Sequence, residues 1–297
     1  MNAIATRTSL SFKHILYATD FSSAAEAALP FVSAIARLYD SHVLGVHVRT
    51  PDSYSLIPPT VFPHSAESAD EQLKNLSSTL DEQLRGLKHE ILVGDGEVWD
   101  FLSRVLRNHD IDLIVIGTQG RTGMEKFMLG SQAEAIFRRA ECPVLTVGPH
   151  ATREGAAHWN INKILLAIDF TVESLSALPL AFSLAFERHA ELTLMNVVEK
   201  GETGDLVRPE QYVDSTVRML RAQVPKGAEF ECRLAYVVRQ GIPSEEILKV
   251  AKEIGSDLIV LGVRSADGRL GIATHVARPT AHKVVSQAMC PVLTVRG

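Results

Sequence analysis

Along the chain, short apolar runs rich in Val, Ile and Leu alternate with longer stretches in which apolar residues return every three or four positions. The first pattern predicts strands buried on both faces, the second amphipathic helices laid across them. In the first half, strands are expected near residues 12–18, 42–49, 89–94, 111–117 and 143–147. The same order returns near 162–168, 191–198, 229–238, 257–262 and 292–296. The first helix is expected to start after Asp20, with Ser23 and Glu26 spaced as a capping box. It should turn Ala27, Leu29, Val32, Ile35, Ala36 and Leu38 toward the sheet. Further helices are expected after Gly96 and after Gly130. The pattern predicts an α/β fold of two tandem open, mostly parallel five-stranded sheets with helices on both faces.

The halves are copies of one another. Ile15-Leu16-Tyr17-Ala18-Thr19-Asp20-Phe21-Ser22 returns as Ile164-Leu165-Leu166-Ala167-Ile168-Asp169-Phe170-Thr171. Asp112-Leu113-Ile114-Val115-Ile116-Gly117 returns as Asp257-Leu258-Ile259-Val260-Leu261-Gly262, and Cys142-Pro143-Val144-Leu145-Thr146-Val147 as Cys290-Pro291-Val292-Leu293-Thr294-Val295. The order is kept and the period is about half the chain, which means domain duplication; solenoid repeats recur every 20–50 residues or so. The reading places a first domain at 1–148, a polar linker at 149–160 and a second domain at 161–297. At 297 residues each half has the length to bury a core. The Pro- and Ser-rich stretch Thr50 to Ala66 is long for a connection and reads as a flap.

Composition narrows the function classes. The chain is 46% hydrophobic and 22% charged, with net charge −5 and pI near 6.1. Lys and Arg are dispersed, which argues against nucleic acid and anionic membranes as partners. The first residues lack the apolar core of a secretion signal and no run approaches the roughly 20 apolar residues that span a bilayer, so a cytoplasmic location is expected. Cys142, Cys232 and Cys290 have no metal-type spacing and read as free buried thiols.

The candidate chemistry follows the strand that ends at Ile116. Gly117-Thr118-Gln119-Gly120 leads, after nine further residues, to Gly130-Ser131 and a helix. Glycines let bare N–H groups approach an anion through turns of positive φ, and a helix N-terminus favours phosphate. The spacing is neither that of a P-loop nor that of the dinucleotide fingerprint. Taken alone, such glycines are also the punctuation of a long surface loop. Asp20 likewise reads as a ligand group or as a helix cap, and Arg121 as a phosphate fork or a solvated charge.

These blocks together resemble the universal stress protein family, in its ATP-binding branch and as a tandem pair. The resemblance rests on the opening through Ser22, on His47-Val48, on Asp112 to Gly117, on the glycine spacing and on Cys142-Pro143-Val144-Leu145. It implies a Rossmann-like (HUP-type) fold with ATP as ligand. Ala18, Thr19 and Asp20 would lie against ribose and adenine, and Val48 would contact adenine through its backbone. Gly117, Gly120, Gly130 and Ser131, with the backbone of Gln132 and Ala133, would hold the phosphates; Arg121, which directly follows Gly120, is a further candidate from its own chemistry. Gln119, where His or Arg is common, and Gln132 depart from the usual form. Mg²⁺ would accompany the triphosphate, with Asp20 the nearest carboxylate. The last strands of the two halves, Val144 to Val147 and Val292 to Val295, would pair to make an internal pseudo-dimer, and two chains would associate as a homodimer.

The second copy keeps Asp169 and, in Asn196-Val197, an echo of the adenine edge, but not the loop. Gly262-Val263-Arg264-Ser265 loses the second glycine, and His275-Val276 or Arg278-Pro279 stands where Gly-Ser belongs. This half is expected to bind ATP weakly or not at all. His275 and His282 are too few for a metal site. Nucleotide is therefore expected to act as a ligand in a stress-response regulator, without a catalytic base and with slow hydrolysis at most. The rivals are a nucleotide-free scaffold and an ATPase or adenylate-transferring enzyme.

Overall fold

A computed structural model describes residues 10–50, 69–118, 130–151, 159–199, 209–264 and 280–297. The first half runs β1 (His14–Ala18), α1 (Ser23–Tyr39), β2 (His42–Arg49), α2 (Ala69–Gln83), β3 (His89–Asp95), α3 (Val98–Asn108), β4 (Leu113–Gly117), α4 (Ser131–Arg139) and β5 (Val144–Val147). The second runs β6 (Lys163–Ala167), α5 (Val172–Ser176), α6 (Leu178–Arg188), β7 (Glu191–Val198), α7 (Pro209–Ala222), β8 (Arg233–Gln240), α8 (Pro243–Ile254), β9 (Leu258–Val263), α9 (Thr280–Gln287) and β10 (Val292–Arg296). Among the described residues no helix is long and apolar enough to cross a membrane.

Each half forms a five-stranded parallel sheet, and the two are joined edge to edge into one ten-stranded sheet, ordered β3-β2-β1-β4-β5-β10-β9-β6-β7-β8. The seam is the one antiparallel pair, β5 with β10, centred on Leu145 opposite Leu293. Short apolar edge strands are poorly tolerated in water, and here each covers the other. Because the seam is antiparallel, the carboxyl ends of the strands point toward one edge in the first half and toward the opposite edge in the second.

Alternation along each strand sorts the core into two layers. Ile15 and Tyr17 face α1, while Leu16 faces the layer with Leu102 and Ile136; Ile164 and Leu166 against Leu165 repeat this in the second half. Each layer runs through both halves. Other ties cross the molecule: Thr294 Oγ1 donates to the Val144 carbonyl (3.2 Å), Arg296 donates to the Arg139 carbonyl (2.8 Å), and the Tyr39 hydroxyl meets Glu187 (2.9 Å).

Three local expectations are corrected. Leu29, Val32, Ile35 and Ala36 of α1 are buried as expected, but Ala27 is only half-buried and Leu38 is 43% exposed, and Ala28, Phe31 and Tyr39 complete the buried face in their place. The strand expected over 229–238 starts only at Arg233. Pro225 and Gly227, the latter at φ 87°, close a 3₁₀ turn over Ala228–Phe230 that leaves Phe230 89% exposed. The third correction is the cap of α1, which belongs to the site.

Candidate functional site

β1 leaves the sheet at Thr19, whose N–H donates to the Val46 carbonyl (2.9 Å). Thr19 Oγ1 accepts the Phe21 N–H (3.1 Å) and Asp20 Oδ1 accepts the Ser22 N–H (3.0 Å), which holds Phe21 in the left-handed region at φ 61°. The chain thus arrives with Ser22 as the cap of α1: Ser22 Oγ accepts the Ala25 N–H (3.2 Å). Ser23 is the first helical residue, so Ser23 and Glu26 form no capping box. Asp20 is therefore not the helix cap that it was expected to be as the alternative to a ligand group; Ser22 takes that place, and Asp20 holds the turn before it through the Ser22 N–H.

The second copy builds the same corner. Phe170 lies at φ 63°, Asp169 Oδ1 accepts both the N–H (3.0 Å) and the hydroxyl (2.6 Å) of Thr171, and Thr171 caps α5. Burial pushes the Asp169 carboxyl up, but hydrogen bonds from Ser174 and Thr171 outweigh it and hold the group below the usual carboxylate value.

One role was missed in the sequence. His47, 5% exposed, donates through Nδ1 to the Thr19 carbonyl (2.9 Å), and its ring lies 4.4 Å from that of Phe21. Asn196 stands at the matching place and donates through Nδ2 to the Ile168 carbonyl (2.8 Å). Two different side chains with an N–H donor, one at each copy of the same position, are the signal for this job. The repeated aspartates have a job too: Asp112 Oδ2 accepts the His14 N–H, and Asp257 Oδ2 accepts those of Asn162 and Lys163, each at 2.9 Å, tying the strand starts together.

Ala18, Thr19, Asp20, Val48 and Gly117 all come to the carboxyl edge of β1, β2 and β4, which are neighbours in the sheet. Gly117 and Gly130 do not take positive φ, contrary to the reason given for them. At Gly117 a Cβ would stand 2.4 Å from the Ala24 carbonyl oxygen, and at Gly262 1.9 Å from that of Glu173, so these glycines let α1 and α5 pack onto the strand ends. The base of the glycine loop is closed by the Gly130 N–H, which donates to the Thr118 carbonyl (2.8 Å). This sets the N-terminus of α4 beside the end of β4. Gly130 brings no capping side chain to that helix. Ser131 and Gln132 are exposed and Ala133 is buried. Thr118 Oγ1 is buried without a hydrogen-bond partner among the described residues.

Gln119, Gly120, Arg121 and Lys126, the flap from residue 51 to Ala66, and Ser265, His275, Val276, Arg278 and Pro279 lie outside the described residues. His282 is buried and its Nε2 lies 3.9 Å from Glu134 of α4. In the second half a cavity of about 410 Å³ opens at the carboxyl ends of β6, β7 and β9.

Comparison with known proteins sets this geometry in context. About half of the chain is 34% identical over 149 residues to universal stress protein YxiE of Bacillus subtilis, an alignment covering 46% of this chain and 99% of that one. A universal stress protein of Mycolicibacterium smegmatis aligns over 292 residues at 25% identity, covering 95% of this chain and 96% of its own. A universal stress protein of Archaeoglobus fulgidus shares the fold, with a TM-score of 0.70 at 19% identity, covering 97% of this chain and 99% of that one. The sequence profile of the universal stress protein family matches twice, over residues 11–148 and 160–296. A chain matched by one family over nearly its whole length, in two copies that build the same corner, belongs to the universal stress protein family, in tandem form.

Proposed function

We propose that this chain is a nucleotide-responsive stress protein that holds ATP, with Mg²⁺, in its first half. The observation that carries the reading is the loop base: the bond from Gly130 to Thr118 sets an uncapped helix N-terminus at the end of β4, beside a buried hydroxyl without a partner among the described residues. Free first-turn N–H groups and the positive end of the helix dipole suit an anion, so this chemistry fits the phosphates. In this reading the backbone of Gly130, Ser131, Gln132 and Ala133 binds phosphate, joined by Gly120 and Arg121. Gly117 sets where the loop leaves the strand. Ala18, Thr19, Asp20 and Val48 hold the nucleoside. Mg²⁺ needs only one or two carboxylates beside phosphate and water, and Asp20 is the one offered. The nucleotide changes the partners or conformation of the protein. The three unpaired cysteines suit the reducing cytoplasm.

Calorimetric titration of Mg-ATP into the native chain and into Gly130→Asp tests this. Aspartate caps helices well, so the variant should keep its melting temperature while putting its own carboxylate where phosphate belongs. One ATP per native chain and affinity lower by about 100-fold or more in the variant are expected, the size of two lost charge-assisted hydrogen bonds. No heat with the native chain, and no nucleotide carried through purification, would overturn the reading.

A further inference from the structure

We infer that the second half carries an interface through which two copies of this chain associate, each placing the same patch beside β8 against the other. The patch is distinct from the seam and does not rest on nucleotide binding.

β8 is an outer strand of the ten-stranded sheet and is bonded only to β7. Sheet edges are usually covered, as β5 and β10 cover each other here. The turn that leads into β8 presents Phe230, 89% exposed and the only aromatic side chain among the described residues that stands mostly in solvent. Its place is fixed by the turn. The Ala228 N–H donates to the Pro225 carbonyl (3.1 Å), the Phe230 N–H to the Gly227 carbonyl (3.0 Å) and the Cys232 N–H to the Ala228 carbonyl (3.1 Å). Ala228, 2% exposed, pins the turn to the core. An aromatic ring presented on fixed backbone loses little freedom on docking, which suits it to anchor an interface.

An open groove of about 1,100 Å³ runs beside this ring, between the end of α7 and the start of β8, with Val224, Pro225, Leu234 and Tyr236 as its apolar lining. Arg221 lies over the Tyr236 ring, 5.1 Å from its centroid, and steadies it. The groove lies at the amino ends of β7 and β8, the opposite end of the strands from the cavity described above.

Charge decides the partner. The groove carries three carboxylates, Glu191, Glu229 and Glu231, and three cations, Arg221, Lys226 and Arg233, so a partner of one sign meets as many repelling groups as attracting ones. A second copy related by a twofold axis avoids that conflict, because in such a contact residue i meets j while j meets i. The patch has what this requires: a projecting ring next to an apolar slot, and acids next to bases. Phe230 of each copy enters the slot at Leu234 and Tyr236 of the other, and Glu229 and Glu231 of each face Lys226 and Arg233 of the other.

Sedimentation equilibrium of the full chain over a concentration series tests this, and a dimer of twice the 32.5 kDa chain mass is expected. Phe230→Asp should leave the melting temperature unchanged, because the ring is exposed, and raise the dimer dissociation constant at least about 10-fold. Two charge variants complete the experiment. One carries Glu229→Lys with Glu231→Lys, the other Lys226→Glu with Arg233→Glu. Each places like charges against its own copy and should be monomeric, whereas the two mixed in equal amounts should dimerise, since every acid again meets a base. Recovery on mixing follows from the twofold pairing and is not produced by a general loss of stability. The inference falls if the native chain stays monomeric at every concentration or forms open-ended assemblies. It falls equally if Phe230→Asp leaves the dimer intact, or if the two charge variants fail to combine.

Discussion

At the scale of single residues, Gly117 and Gly130 share a motif but answer to different forces. Gly117→Ala drives a Cβ into the Ala24 carbonyl and is expected to cost about 1–3 kcal/mol in denaturant unfolding, the usual price of overpacking. Gly130 has φ −62°, open to any residue, so Gly130→Ala should change stability by less than about 0.5 kcal/mol. The glycines were legible as a motif, but their separate reasons were not, because a missing side chain leaves no trace of which neighbour required its absence. His47 and Asn196 were equally opaque, since the carbonyls they bind are reached only through the fold. The cysteines came out closer to expectation: all three are unpaired, Cys232 and Cys290 are buried and Cys142 is half-buried. Burial pushes the Cys142 and Cys290 thiols up to about 12 and Cys232 to about 11. A folded thiol that keeps its proton after the unfolded one has released it stabilises the fold fully at low pH and progressively less as pH rises above about 9. Unfolding followed from pH 7 to pH 10.5 should therefore show falling stability. Thiol labelling at pH 7 should be slow in the folded chain and complete in denaturant, and fast labelling of all three would contradict the burial.

At the scale of elements, the parallel strands were the most legible because both their faces are buried, which leaves unbroken apolar runs. Nine of ten lie close to where the pattern put them, and β8 fails because a Pro-Gly turn consumes its first residues. The helix start was less legible. Ser22 and Ser23 are equally good caps by residue type, and only the turn made by Asp20 decides between them. Ser22→Ala should cost about 1 kcal/mol and Ser23→Ala a few tenths at most, measured as shifts in the urea midpoint. Equal losses would argue against the assignment.

At the scale of the whole molecule, duplication could be read from three repeated blocks, and the pairing of β5 with β10 was implied by family resemblance alone. No residue pattern gives the register, since β5 and β10 both open with the same Val-Leu-Thr-Val run. A chain cut after Ala151 exposes β5 and is expected to self-associate through it, as light scattering after size exclusion would reveal; a monodisperse monomer would mean that the seam is dispensable. The seam within one chain also has an evolutionary consequence. In a symmetric dimer of single-unit chains every mutation appears twice, so neither site can change alone. Here the mutual cover of β5 and β10 is kept by covalent linkage while the symmetry is only approximate. Either copy can therefore change at its carboxyl edge while the other is kept, and because those edges lie on opposite sides of the sheet, a change in one need not make room for the other.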